Sequence, residues 1–252
     1  MRFKRIRKIM LAACFLVFIG SGLILCMLFL SSGGNVEQFR IKSKEAGMEN
    51  PIDFDKLQKI NPDIYAWVQV PGTSIDYPVA SSQGKEKEDY YLNHNFRKAY
   101  EFAGTIYSQR ENSRDFSDPV TILYGHNMIN GSMFAGLRKF ADEQFFGKHD
   151  TVYIFTPEQR LTYQIAAYYE TDNKNILQHY GFFQKKEQIE EYLKTIRQPD
   201  NGNVRLGISL NAAEKILTLS TCSSISTRRR ILQSVLVGQN EWEESSPQPN
   251  TK

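Results

Sequence analysis

Cys222 ends an apolar run, Ile216 to Leu219 continued by Ser220 and Thr221. Arg228, Arg229 and Arg230 open the next apolar run, Ile231 to Val237. The pattern predicts strand, loop, strand, with a thiol where the first strand ends and guanidinium groups where the second begins. If the strands are neighbours, cationic groups face the cysteine and favour thiolate, the nucleophilic form. Alternation along a strand sends Arg228 and Arg230 to one face and Arg229 to the other. Of the four histidines, His126 is the best placed to move a proton. It follows an apolar run and Gly125 in LYGHNM, so it is expected at a strand end, fixed by the scaffold yet reaching into a cleft. His94 sits between Asn93 and Asn95, His149 between Lys148 and Asp150, and His179 after Gln178; all three are expected at the surface. A thiol with an imidazole in reach is the minimum for nucleophilic catalysis. The bland reading of Cys222 is a buried small hydrophobe. Thr221 before it and Ser223–Ser224 after it make a deep apolar site a poorer fit.

Positioning these groups requires a β-rich scaffold. Asp53 to Ile60 reads as a short amphipathic helix, started by Pro51 and Asp53 and stopped by Asn61–Pro62. Ile64 to Val70 and Ser74 to Val79 read as a hairpin about Pro71–Gly72. A short helix is expected near Glu86 to Tyr91. Strands are expected over Ala103 to Ser108 and Val120 to Tyr124, and a short helix over Met133 to Phe140. Thr151 to Phe155 and Leu161 to Tyr169 form a second hairpin across Pro157 to Arg160. Phe182 to Ile196 is the one long helix, with Ile189, Tyr192, Leu193 and Ile196 at helical spacing. The last two strands flank Cys222. About eight strands joined mostly by hairpins, with no βαβ repeat and no glycine-rich phosphate loop, predict one mixed or antiparallel β-barrel with helices outside it.

The 252 residues are 41% hydrophobic, enough to bury a core. The formal charge of +3 is local. Arg2, Lys4, Arg5, Arg7 and Lys8 precede an uncharged apolar stretch, residues 9–30, and without those five the chain holds 26 basic against 28 acidic side chains. Net charge therefore does not suggest a nucleic-acid face. The apolar stretch is long enough to cross a bilayer, and its basic flank keeps the amino terminus cytoplasmic and the rest exported. The expected organisation is a cytoplasmic segment 1–8, an uncleaved anchor 9–30, a stalk 31–52, a catalytic domain 53–238 and a flexible tail 239–252. Cys14 and Cys26 fall in the apolar stretch, so the exported part holds one cysteine, no internal disulfide and no CxxC pair. No HExxH occurs and no two histidines lie within four residues of each other, so no metal is expected.

TLSTC (218–222), the following Arg230 and apolar strand, and YGHN (124–127) together resemble the sortases, cysteine transpeptidases of Gram-positive bacteria, and most of all their class B branch. INPDIYAWVQVPGTSIDYPV (60–79), YLNHNF (91–96), GTIY (104–107) and YGHNMINGSMF (124–134) extend the resemblance over roughly residues 53 to 238. It implies an eight-stranded barrel with peripheral helices behind one membrane helix, and no cofactor. It assigns Cys222 as nucleophile, His126 as acid/base and Arg230 as the guanidinium at the substrate, chosen because it directly precedes Ile231–Leu232. The implied reaction cleaves a C-terminal sorting signal of exported proteins through a thioester and passes the acyl group to a peptidoglycan amine. Pilin polymerisation, with a protein lysine as acceptor, would use the same residues. A membrane-tethered extracellular binding module with an idle thiol is the reading of another class.

Overall fold

The computed structural model describes residues 36–41, 49–84, 86–222 and 227–242, and for Cys222 the backbone alone. The predicted membrane segment, residues 9–30, lies outside them; among the described residues no helix is long and apolar enough to cross a membrane.

The described residues form nine strands: β1 (Ile64–Gln69), β2 (Asp76–Ala80), β3 (Ile106–Tyr107), β4 (Val120–Tyr124), β5 (Thr151–Phe155), β6 (Gln159–Asp172), β7 (Asn203–Val204), β8 (Ile216–Cys222) and β9 (Arg228–Glu241). Their order is β5-β1-β2-β3-β4-β8-β9-β6-β7, and β5 also pairs with β6. That last pairing closes eight strands into a barrel and leaves β7 hung on the outer edge of β6. Most neighbours are antiparallel, but β2–β3 and β4–β8 are parallel. Closure satisfies the edges that an open sheet would leave unpaired.

All eight barrel strands send residues into one buried cluster, which therefore fills the barrel. It includes Val68, Val79, Ile106, Leu123, Ile154, Ile165, Leu217, Leu219 and Leu232. The alternate residues, among them Trp67, Ile122, Tyr169, Ile216 and Ile231, form a second cluster with the helices. Those helices are α1 (Phe54–Ile60), α3 (Ile176–His179) and α4 (Lys186–Arg197), whereas α2 (Glu143–Lys148) packs its Phe146 into the first cluster. Asp53 caps α1 by accepting from the Lys56 N–H at 2.9 Å. Ile189, Tyr192, Leu193 and Ile196 are the buried stripe of α4, as their spacing predicts.

The structure departs from the sequence reading at several ends. The long helix starts at Lys186, not Phe182, because Phe182 and Phe183 have φ of 57° and 53° and cannot begin a right-handed helix. The strand expected from Ala103 shrinks to Ile106–Tyr107, since Gly104 turns with φ of +64°. The helix expected near 86–91 is a 3-10 turn at Tyr90–Leu92, and that over 133–140 is a 3-10 helix at Phe134–Ala141. β7 went unforeseen. The expected stalk and tail also join the domain at their inner ends. Phe39 and Ile52 are buried, with Arg40 bridged to Ile52. At the other end β9 runs past 238 to Glu241, and Trp242 stacks on Phe155 and donates its indole N–H to the Thr156 carbonyl at 3.0 Å.

Candidate active site

The parallel pairing of β4 with β8 builds the site. Their register runs from Val120 opposite Ile216 to Tyr124 opposite Ser220, and the Gly125 N–H continues it by donating to the Ser220 carbonyl at 3.2 Å. His126 and Cys222 each lie two residues beyond that last pair. The topology thus brings both positions to one barrel rim at the same step of neighbouring strands. Gly125 is required there. A Cβ would come within 2.4 Å of Ile106 Cδ1 and 2.9 Å of Phe134 Cδ2, so only glycine lets β4 pass these groups and deliver His126.

The His126 ring is held from the segment before β3. Its Nε2 lies 2.8 Å from the Leu92 carbonyl, which can only accept, so Nε2 carries a proton. The Phe102 ring stacks on the imidazole with centroids 5.2 Å apart and planes 16° from parallel. Burial pushes the His126 pKa below its ordinary value of 6.5, opposed by the Leu92 hydrogen bond. The other three histidines are engaged elsewhere. His94 stacks on Tyr90 at 3.9 Å, His149 packs on Phe145 and against Gly72, and His179 meets Tyr180 edge-on.

The arginines divide between two faces, as alternation predicts. β9 registers Arg229 opposite Cys222 and Arg230 opposite Thr221. The Arg229 guanidinium lies over the Tyr124 ring, 5.9 Å from its centroid, at the end of the strand that carries His126. Arg230 turns toward β6, where its Nε donates to Glu170 Oε1 at 3.0 Å. Arg228 reaches the same residue, donating to the Glu170 carbonyl at 3.0 Å. Arg229, which the sequence reading set aside in favour of Arg230, is the arginine registered with Cys222.

One row of registered positions crosses the sheets here, from Thr171 through Arg229 to Cys222. The next row runs from Tyr169 through Ile231 and Ser220 to Tyr124. Beside the β6 end of these rows lies a cleft of about 210 Å³, lined by Tyr169, Thr171, Asp172, Ile176, Tyr192 and Thr195 among others. At the other end of the second row, burial pushes the Tyr124 phenol well above the usual tyrosine range. Its hydroxyl donates to Gln109 Oε1 at 3.3 Å. Tyr124, Phe102 and the Leu92 carbonyl were not singled out from sequence. Tyr124 stands in the YGHN stretch and could have been; a backbone carbonyl leaves no sequence signal. Among the described residues no group of histidine, cysteine, aspartate and glutamate side chains could hold a metal ion.

A closed eight-stranded barrel with a cysteine, an imidazole and a guanidinium at adjoining strand ends defines a scaffold for thiol-based acyl transfer. The Sortase domain family matches residues 68–237, and the chain belongs to that family. Sortase B of Listeria monocytogenes is 38% identical over 173 residues, which are 67% of this chain and 66% of that protein. Sortase B of Staphylococcus aureus is 29% identical over 181 residues, 71% of this chain and 72% of that protein. The X-ray structure of Clostridium perfringens sortase B superposes with a TM-score of 0.65 at 35% identity, covering 73% of this chain and all of that one. The relatives are thus class B sortases, and sortases are cysteine transpeptidases. The chain spans about two thirds of the length of the Listeria relative.

Proposed function

We propose that this chain cleaves a C-terminal sorting signal of exported proteins and transfers the acyl fragment to an amine of cell-wall peptidoglycan. Cys222 is the nucleophile, His126 the acid/base and Arg229, in place of Arg230, the guanidinium at the reacting carbonyl. Residues 9–30 anchor the enzyme in the membrane with the barrel outside, where substrate and lipid-linked acceptor share one surface.

In this reading the Cys222 thiolate attacks the scissile carbonyl carbon and an oxyanion forms. Arg229 stabilises that charge. The C–N bond then breaks as protonated His126 gives its proton to the leaving amine, and a thioester remains. The incoming amine attacks the thioester, neutral His126 takes its proton, and the thiolate leaves. The observation that carries the reading is the shared register of β4 with β8 and of β8 with β9, which puts positions 126, 222 and 229 on adjoining strand ends. Arg230 is the weaker candidate because Glu170 already neutralises it.

The acceptor is tested by product analysis. Full-length protein is incubated with a panel of sorting peptides, including ones that begin Asn-Pro, together with a peptidoglycan stem-peptide amine or a lysine-bearing pilin peptide. The expected product is the stem-peptide conjugate. Conjugation to the pilin lysine alone would make the chain a pilus polymerase, and hydrolysis unaffected by either amine would make it a peptidase.

A further inference from the structure

Phe102 is an anomaly. It is a large apolar side chain, 67% exposed, yet it stacks on the His126 ring. The segment that carries it is anchored more firmly than a surface loop needs to be. Tyr91 is fully buried and its hydroxyl donates to Asp63 Oδ2 at 2.7 Å while accepting from Asn61 Nδ2 at 2.9 Å. Lys98 closes the same network through Asp63 at 2.8 Å. The Thr105 N–H donates to the Tyr91 carbonyl at 2.9 Å, and Thr105 Oγ1 donates to the His94 carbonyl at 3.0 Å. Gly104, at φ of +64°, passes so close that a Cβ would lie 2.4 Å from the carbonyl oxygens of both Tyr91 and Leu92. The turn is therefore folded down onto the residue whose carbonyl receives His126.

We propose that the segment from Tyr90 to Thr105 is a support built for His126, in which the Leu92 carbonyl holds the Nε2–H tautomer and Phe102 fixes the ring plane, so that Nδ1 is the nitrogen that exchanges the proton. Phe102 is on this account a positioning residue, acting through the imidazole. When His126 is an imidazolium, both nitrogens carry protons and Nε2–H stays on Leu92. The Nδ1–H bond is the one that breaks as the N–H bond of the leaving amine forms. The acceptor amine later returns a proton to Nδ1. Stacking removes water from one ring face, in line with the burial that lowers the His126 pKa. The titratable and charged groups on the elements around it are Tyr124 on its own strand, Arg229 across the sheet, Cys222 on β8, and Tyr90, Tyr91, His94, Arg97, Lys98, Tyr100 and Glu101 on the support. The proposal rests on reading His126 as the acid/base.

The test is long-range ¹⁵N–¹H NMR of His126 in the full-length C222A protein across a pH titration, repeated with F102A and F102Y. The exposed position of residue 102 lets all three fold, which circular dichroism checks. Expected are the Nε2–H tautomer in the neutral ring, a rise of the His126 pKa toward 6.5 in F102A, and a value near that of the parent in F102Y. In the Cys222 background F102A should lower kcat about tenfold with KM changed less than twofold, as for a misaligned catalytic group. An Nδ1–H tautomer, or an F102A titration that matches the parent, overturns the proposal. H126A separates the two claims. If it turns over an Asn-Pro-initiated fluorogenic peptide as fast as wild type, the acid/base reading fails, whatever the tautomer.

Discussion

At the scale of single residues, the chemistry turns on which guanidinium is free to meet a developing negative charge. A cation already paired with a carboxylate has less field to offer than one lying over an aromatic face. Arg230 and Arg228 both engage Glu170, whereas Arg229 lies over Tyr124 and is registered with Cys222. Arg229→Ala should therefore lower kcat by about 10²-fold or more, the usual loss of an oxyanion partner. Arg230→Ala should stay within about tenfold of wild type. Steady-state kinetics on both variants checks this, and the reverse order would return the role to Arg230. Cys222 and His126 are proposed from residue type and context, because each follows an apolar run in the sequence. The choice among three adjacent arginines rests on register rather than on residue type. It depends on how many residues the β8–β9 link uses before pairing resumes, and one residue more or less exchanges the two faces.

At the scale of elements, the parallel β4–β8 pair is what makes two distant segments into one site. Its exit from the sheet depends on a residue with no side chain. Gly125→Ala would drive a methyl group into Ile106 and Phe134. It should cost about 1–3 kcal/mol by overpacking and reduce turnover by more than tenfold by displacing His126. Urea denaturation and kinetics on the same preparation test both effects, and an unchanged kcat would show that His126 does not depend on this exit. The strands themselves were legible, since runs such as IYAWVQV and ILTLS are apolar and bounded by turn residues. The two-residue β7 was not, because it carries no periodicity and pairs only with β6. The start of α4 was misplaced because Phe182 and Phe183 match the apolar pattern of a helix while their backbones are left-handed. A short helix was expected beside the 3-10 turn at Tyr90–Leu92, but the Leu92 carbonyl that meets His126 leaves no trace in the sequence.

At the scale of the whole molecule, closing the barrel couples the site to folding. His126 resists protonation when folded, so its folded pKa lies below the 6.5 of the unfolded chain. The unfolded state then binds more protons as pH falls through 6.5, and the stability contribution of neutral His126 is lost progressively from there downward. In His126→Asn the rise of unfolding free energy with pH just below 6.5 should be shallower than in wild type. Equal slopes, measured by urea titration, would show that burial does not hold the imidazole neutral.

The central claim is that Cys222 becomes a covalent acyl carrier at the mouth of this barrel. Intact-mass analysis of the full-length protein after brief exposure to the sorting-peptide panel tests it most directly. The predicted result is an adduct equal to the peptide minus its leaving fragment, mapped to Cys222, released by hydroxylamine and absent in C222A. Peptide cleavage that proceeds equally well in C222A, with no adduct on the wild-type chain, would contradict it.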